Sequence, residues 1–537
     1  MLNTRHFPEW IGNLRKRSRG LSSLLIFTLV SFALLNWFSA FVPYDMDEFL
    51  AHLQLARLRF PNNELNLYRE SPLQYDLAPT GIWGWLPPLP LLCYEYVGSF
   101  LGLLYAPLYL LFPEPWSARF LGICMLVVQG LIISKLFGFT WRMSFLMLVL
   151  CMPYTYQHLV DFGQLTFQTT SVFLVLLLLK KWEGAVVIHR TAWIYPSIVG
   201  LLLFVCFWTR PSYIAILVPL LLLIVFKVQG VWRRYREERG RVALHGMLCS
   251  FTFFIPTHLL FTAHTVSGRS YYESLRSVGL SDDRYNFWRI LVNTLSLMAE
   301  HLTQLASTTK VIQQFPNGLS RIPSCAFWAL IIYILVKGSV ANKANPQKTR
   351  EVDGYLLLSA MTAVFVGFFE VSWAMHHVIL IFPFLILAFC AALRNLTCYG
   401  NSFVTKSALA GAAALNIYLY ALIPIIPPHE GRIAHAPELN RYINEHYSED
   451  ALIVVVDWGF YYTKAVYSTE KQIVVWPDSP EEMRNAFELA TKLNRRPIFI
   501  GLKTSQRAVQ DALGVAVQIE LLPFDSGEWV IMREVLK

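Results

Sequence analysis

The chain has 537 residues, 55% of them hydrophobic and only 15% charged, and its mean hydropathy is +0.43. These values exclude an ordinary soluble protein and predict a multi-pass α-helical membrane protein. The net charge of +9 does not point to nucleic acid as a partner, because Lys and Arg fall in short clusters between apolar runs, as in the cytoplasmic loops of membrane proteins.

A basic segment, 1–20, with "RKRSR" at 15–19, precedes the run "LSSLLIFTLVSFALLNWFSAFV" at 21–42. That run is long enough for a bilayer core of about 30 Å. It lacks the small-residue cleavage site of a signal peptide, so it reads as an uncleaved first helix with the N-terminus cytoplasmic. Immediately after it, "VPYDMDEFLAHLQLAR" at 42–57 gathers Asp45, Asp47 and Glu48.

Apolar runs recur at 86–112, 117–137, 143–159, 165–180, 192–209, 211–228, 242–262, 323–338, 354–372, 377–393 and 403–426. If 86–112 crossed fully, Lys180, Lys181, Arg190 and "RRYREERGR" at 233–241 would all lie outside, against the positive-inside bias. Laid along the outer interface, a placement that suits Trp83, Trp85, Pro87, Pro88 and Pro90, it leaves every basic cluster inside. The expectation is therefore about eleven spans within 21–426, with a long first outer loop at 43–116. The turn at Asp161, the loop 263–321, the His376-His377 turn and the C-terminal region then face the same outer compartment.

From 427 to 537 the pattern changes to that of a small soluble α/β domain, periplasmic or luminal in this topology. "ALIVVV" (451–456), "KQIVVW" (471–476), "RPIFIG" (496–501), "GVAVQIEL" (514–521) and "EWVIMREV" (528–535) predict strands. Ser479 and Glu482 predict a capped helix between the second and third. No Gly-rich phosphate loop is present, since "VVVDWGFYY" has a single Gly. The eight Cys show neither metal-ligand spacing nor a disulfide framework, which favours a bacterial inner membrane over an oxidising lumen.

Carboxylates brought from two helix ends to one face repel one another unless a divalent cation or a cationic side chain lies between them. Oxygen donors of this kind suit Mg²⁺, Mn²⁺ or Ca²⁺. Alternatively, one carboxylate serves as general base toward an attacking hydroxyl. Both roles suit transfer of a sugar from a lipid phosphate. Cations for that phosphate are expected on the same face: Arg57, Arg59, Arg69, Arg119, Arg210, Arg269 and the His376-His377 pair.

The motifs also follow a recognisable order. An acidic pair opens the first outer loop and a helix follows ("MDEFLAHLQLAR"); a Pro-rich interfacial segment comes next ("ESPLQY", "WLPPLPLLCY"). An Arg opens the next span and a basic turn closes it ("PWSARFLGICMLVVQGLIISKLFGF"), and Asp161 precedes a later span ("VDFGQLTFQTTSVFLVLLLL"). Arg210 ends another ("FWTRPSY"), and "HHVILIFPF" forms a late turn before the outer C-terminal region. In this order the chain resembles the GT-C class of polyisoprenyl-phosphate-sugar glycosyltransferases, which includes protein O-mannosyltransferases and the bacterial transferases that add aminoarabinose to lipid A.

The resemblance implies Asp47 as catalytic base, with Glu48 and Asp45 shaping the site. It implies Asp161 holding a metal with Asp47 or orienting the acceptor, and Arg210, His376, His377 and Arg69 beside the donor phosphate. Glu70, in "YRESPL", departs from the pattern, standing where some relatives carry Lys. The implied partners are an undecaprenyl- or dolichyl-phosphate-linked sugar, an acceptor that is lipid A or lipopolysaccharide, another glycan or a protein, and membrane lipids; the implied outcome is inversion. Two other readings stay open at this point, an O-antigen ligase-like or polymerase-like enzyme of lipid-linked glycans and a flippase or transporter. The scarcity of charge inside the spans weighs against the last.

Overall fold

A computed structural model describes residues 24–37, 100–150, 164–187, 189–262, 317–341, 346–366, 379–398, 403–422, 435–447, 451–469, 471–477, 479–524 and 529–534, with short pieces at 22, 39, 44–45, 49, 92–94, 97–98, 288, 292 and 432–433. Most of the described residues as far as 422 lie in apolar helices. The first is α1 (Leu24–Trp37). A two-residue strand β1 (Tyr44–Asp45), a hairpin of β2 (Leu92–Tyr94) and β3 (Val97–Gly98), and a helix α2 (Phe100–Leu111) follow. Ten helices complete this part: α3 (Pro115–Phe137), α4 (Trp141–Leu150), α5 (Gln164–Ala185), α6 (Ile194–Thr209), α7 (Ile214–Arg234), α8 (Arg239–Thr262), α9 (Asn317–Val340), α10 (Pro346–Val366), α11 (Phe382–Cys398) and α12 (Phe403–Leu422).

Seven helices among the described residues are long and apolar enough to cross a membrane, and the chain is an integral membrane protein on that ground. The expected count of about eleven is not reached among those residues. The run at 21–42 is described as continuous helix only over 24–37, the run at 143–159 only over Trp141–Leu150, and α12 has a shorter apolar stretch, Phe403–Leu419. Helix α10 has the length, but Lys348, Arg350, Glu351 and Asp353 crowd its first turns. The run at 86–112 divides into the β2–β3 hairpin and the 12-residue α2, which at about 18 Å is too short to cross.

A continuous apolar core joins α3 through α12. Within it α6 and α8 lie in close contact at Gly200, where a Cβ would fall 2.2 Å from the carbonyl oxygen of Cys249. Polar contacts divide the bundle into two ends. At one, Lys180 Nζ donates to the carbonyl of Leu136 (2.7 Å), Arg234 pairs with Glu183 (2.8 Å), and Arg241 donates to the carbonyl of Val186 (3.1 Å). Also there, Arg394 pairs with Glu351 (2.5 Å) and Asn395 donates to the carbonyl of Gly338 (3.2 Å). The basic turns after α3, α5 and α7 thus share an end. Arg210 sits at the other.

After β4 (Arg432–Ile433) and α13 (Ala436–His446), the chain alternates: β5 (Ala451–Val455), α14 (Trp458–Val466), β6 (Ile473–Val475), α15 (Pro480–Lys492), β7 (Arg496–Leu502), α16 (Gln506–Leu513), β8 (Val517–Leu521) and β9 (Trp529–Glu534). The sheet order is β6-β5-β7-β9-β8, parallel across β6, β5 and β7 and antiparallel from β7 to β9 to β8. Ser479 caps α15, its hydroxyl accepting from the amide of Glu482 at 3.2 Å. Helices α13, α14 and α16 are not among the predicted elements, although the amphipathic patterns of α13 and α16 signal them. In "WGFYYTKAV" aromatic residues outweigh helix formers; there Phe460, Tyr461, Tyr462, Ala465 and Val466 are all buried, so tertiary packing sets the conformation.

Candidate functional site

Helix α6 must stop at Thr209, because a residue before proline is pushed out of the helical region and Pro211 follows Arg210. Arg210 accordingly takes an extended conformation (φ −159°, ψ 118°), its amide still bonded to the carbonyl of Cys206 at 3.2 Å. Its carbonyl accepts from the amide of Tyr213 (3.0 Å) and from Nε2 of Gln168 (3.2 Å). The side chain is 4% exposed. A guanidinium in so dry a place has lost its water, so its charge has to be balanced by the groups around it.

Gln168 lies in the second turn of α5, at the end that Asp161 precedes in the chain. Thr166, Thr169 and Ser171 around it are buried as well. Gln129, on α3, donates to the carbonyl of Thr166 (3.3 Å) and to the hydroxyl of Thr170 (3.0 Å), so a polar seam joins α3, α5 and the end of α6. At the start of α3 Arg119 is 1% exposed and donates from Nη1 to the carbonyl of Ser39, just beyond α1 (2.7 Å). The exit of α1 and the entry of α3 therefore meet at this same end, which is where the first loop begins.

Segments of that loop are fastened on both sides of Asp47 and Glu48. Ahead of the pair, Tyr44 and Asp45 form an antiparallel ladder with Ile433 and Arg432. Behind it Phe49 is fully buried, its ring 5.8 Å from that of Tyr467 in an edge-on pair. Tyr467 belongs to the sheet unit, and its hydroxyl shares a hydrogen bond with that of Tyr105 on α2 at 3.0 Å. The Tyr105 hydroxyl also contacts that of Ser117 at the start of α3, and Tyr109 donates to the carbonyl of Val466 (2.7 Å). Burial holds the Tyr467 phenol well above its ordinary pKa, so the cluster is uncharged. At the hairpin, a Cβ on Gly98 would overlap the carbonyl oxygen of Trp208, so only glycine lets β3 lie against the last turn of α6. Phe100 packs against that tryptophan in a tilted pair, ring centres 5.8 Å apart.

Of the residues expected in the site, Arg119 and Arg210 are described with their side chains and Asp45 through its backbone in β1. Asp47, Glu48, Asp161, Arg69, His376 and His377 lie outside the described residues, as do Arg57, Arg59, Glu70 and Arg269. Among the described residues no three His, Cys, Asp or Glu side chains converge as metal ligands. Sequence reasoning passed over Gln129, Gln168 and the Tyr105–Ser117–Tyr467 cluster. The first two carried a signal: glutamines inside apolar runs need partners that lipid does not supply.

No protein-family model and no curated protein matches the chain. Among solved structures it is similar to three membrane proteins over nearly its whole length. ArnT from Cupriavidus metallidurans bound to undecaprenyl phosphate is 14% identical, with 95% of this chain and 97% of that one covered and a TM-score of 0.46. The oligosaccharyltransferase AglB from Archaeoglobus fulgidus, in complex with an inhibitory peptide and a dolichol-phosphate, is 14% identical with coverage of 96% and 74% and a TM-score of 0.41. The mycobacterial arabinofuranosyltransferase AftD is 12% identical with coverage of 95% and 41% and a TM-score of 0.43. At such identities and TM-scores the functional reading rests on the chain's own residues.

Proposed function

We propose that the chain is an integral membrane glycosyltransferase. It takes a sugar from a polyprenyl-phosphate carrier, undecaprenyl or dolichyl, and passes it with inversion to an acceptor outside the cytoplasm. The observation that carries this is the bond from Gln168 to the carbonyl of Arg210, which joins the entry of α5, just after Asp161 in the chain, to a buried arginine at the end of α6. The exit of α1 and the first-loop segments at β3 and Phe49 gather at the same end. A buried cation beside the start of an acidic loop suits a reaction in which a phosphate leaves while a hydroxyl is deprotonated.

In this reading Asp47 takes the proton of the acceptor hydroxyl as its oxygen bonds to the anomeric carbon from the face opposite the phosphate. The carbon–oxygen bond to the phosphate breaks, and the polyprenyl phosphate departs with the electron pair. Glu48 and Asp45 shape the acidic side of the site. Arg210, with His376, His377 and Arg69, stabilises the negative charge that grows on the phosphate. Mg²⁺, Mn²⁺ or Ca²⁺ held by Asp47 and Asp161 would neutralise the same charge; its donors lie outside the described residues, and no step is derived through it.

The end bearing Arg210 is assigned to the periplasm, and the end bearing the 233–241 arginines to the cytoplasm of a bacterial inner membrane. The test is Asp47→Asn in protein reconstituted in lipid and supplied with polyprenyl-phosphate-linked sugars, with circular dichroism to establish folding. Release of polyprenyl phosphate should cease in a folded variant. Release at the wild-type rate removes Asp47 from the chemistry. Mass spectrometry of envelope glycolipids with and without the protein identifies sugar and acceptor.

A further inference from the structure

A cavity of about 630 Å³ opens between α5, α6, α7 and α8. On α6 it touches Pro196, Val199 and Leu203, the half of the helix remote from Arg210, so it lies in the leaflet opposite the proposed site. Its lining is almost wholly apolar. The buried imidazole of His245 is already engaged, Nδ1 accepting from Nε1 of Trp182 at 3.0 Å, so the floor offers no free acceptor there. Along the mouth Val225, Met247, Phe251 and Phe254 line the cavity and are also more than half exposed, so it opens sideways onto the lipid-facing surface. The volume is in the range that takes a small ligand or a hydrocarbon chain.

The rim is basic on balance, with Arg233, Arg234, Arg236, Arg239 and Arg241 against Glu183, Glu237 and Glu238. Trp232 lines the cavity, and the guanidinium of Arg239 stands 5.7 Å from its ring centre. Arg234 and Arg241 are paired with Glu183 and Glu238. Arg233, Arg236 and Arg239 are exposed, and among the described residues no carboxylate pairs with them. A lateral apolar slot under three such arginines, at the level of one membrane surface, is complementary to a molecule with hydrocarbon tails and an anionic head.

We propose that this slot is a binding site for an anionic phospholipid, an acyl chain lying between α7 and α8 and the phosphate on the arginine rim. Uncharged or zwitterionic lipid would fill the slot but gain nothing from the rim, whereas each basic side chain near a membrane surface strengthens attraction to an anionic head about fivefold. The proposal depends on the chain spanning the membrane and not on the transferase reading.

Gly246 provides the test, because it lines the cavity and a Cβ there meets nothing within 4 Å, so Gly246→Trp starts a bulky side chain from open space beside the slot. The full chain is reconstituted in phosphatidylcholine vesicles containing phosphatidylglycerol with a photoreactive acyl chain, and in parallel the same chain on phosphatidylcholine. Cross-linked peptides are then mapped. Labelling of 225–232 and 247–254 should be about a hundredfold greater with the anionic probe, three arginines at about fivefold each. It should fall to background in Gly246→Trp, and in the combined Arg233→Gln, Arg236→Gln, Arg239→Gln variant it should drop to the zwitterionic level. Leu357, exposed on α10, should be labelled equally throughout and reports that the protein is inserted. Equal labelling by the two head groups, or labelling unaffected by Gly246→Trp, overturns the proposal. So does displacement by a trace of polyprenyl phosphate, which would assign the slot to the carrier's tail.

Discussion

The two ends of the helical bundle hold their arginines in opposite ways. At one end Arg119 and Arg210 are almost fully buried, the Arg119 guanidinium donating to the carbonyl of Ser39 and the backbone carbonyl of Arg210 held by Gln168, with first-loop segments close by. At the other, Arg233, Arg236 and Arg239 are exposed, and nothing like the sheet unit covers them among the described residues. A buried guanidinium loses its water and must be compensated by designed contacts, which is how a site for a charged reaction is held ready. An exposed one keeps its water and acts through the field near the membrane surface. Arginine count alone does not distinguish them; burial does.

The largest expected effect comes from Arg210→Ala, which should reduce sugar transfer roughly a hundredfold or more at an unchanged helical content, as removal of a single charge-stabilising donor commonly does. If turnover survives that change while Arg239→Ala abolishes it, the roles of the two ends are reversed. Next is Phe49→Ala, which removes a fully buried ring and should cost about 3–5 kcal/mol of local stability. Limited proteolysis should then cut the first loop faster, with transfer falling in parallel because the acidic segment loses its anchor. Intact loop protection in that variant would show that the β1–β4 ladder alone holds the loop.

Gln168→Leu should have a smaller effect, about 0.5–1.5 kcal/mol from one lost bond, since the carbonyl of Arg210 keeps the Tyr213 amide as donor. A kinetic assay should show the loss mainly in KM for the polyprenyl-phosphate donor, since what changes is the position of Arg210. Last comes Tyr467→Phe, about 1 kcal/mol, measured as thermal stability of the sheet unit on α2. Because burial raises the Tyr467 phenol, its contribution is complete below the unfolded phenol's pKa of about 10 and is lost as pH rises beyond it. Melting of the wild type should therefore be flat in pH on account of this cluster from neutrality to about pH 9. A melting point that fell across that interval in the wild type but not in Tyr467→Phe would contradict the assignment.

Much of the fold was legible because apolar runs and alternating strands are properties of local sequence. All five strands of the C-terminal sheet and the Ser479 cap stand where pattern placed them, within a few residues at each end. Helix α14 was not legible, since "WGFYY" favours a strand and becomes helix only when buried on several sides. In the site, Arg210 was marked by its place at the end of an apolar run. Gln168, Phe49 and the tyrosine cluster act through partners 42 to several hundred positions away, and no local pattern records those.

The sequence by itself determined that this is a membrane protein, that its basic clusters alternate with apolar runs so that the turns after α3, α5 and α7 share an end, and that strand and helix patterns follow the apolar helices. Those properties follow from transfer of side chains between water and lipid, which each segment obeys alone. Only the tertiary structure decided which arginines are buried, that the sheet unit rests on α2 through Tyr105 and Tyr467, and that a lateral slot lies between α7 and α8. Burial and cavity are properties of several segments at once, so no single segment encodes them.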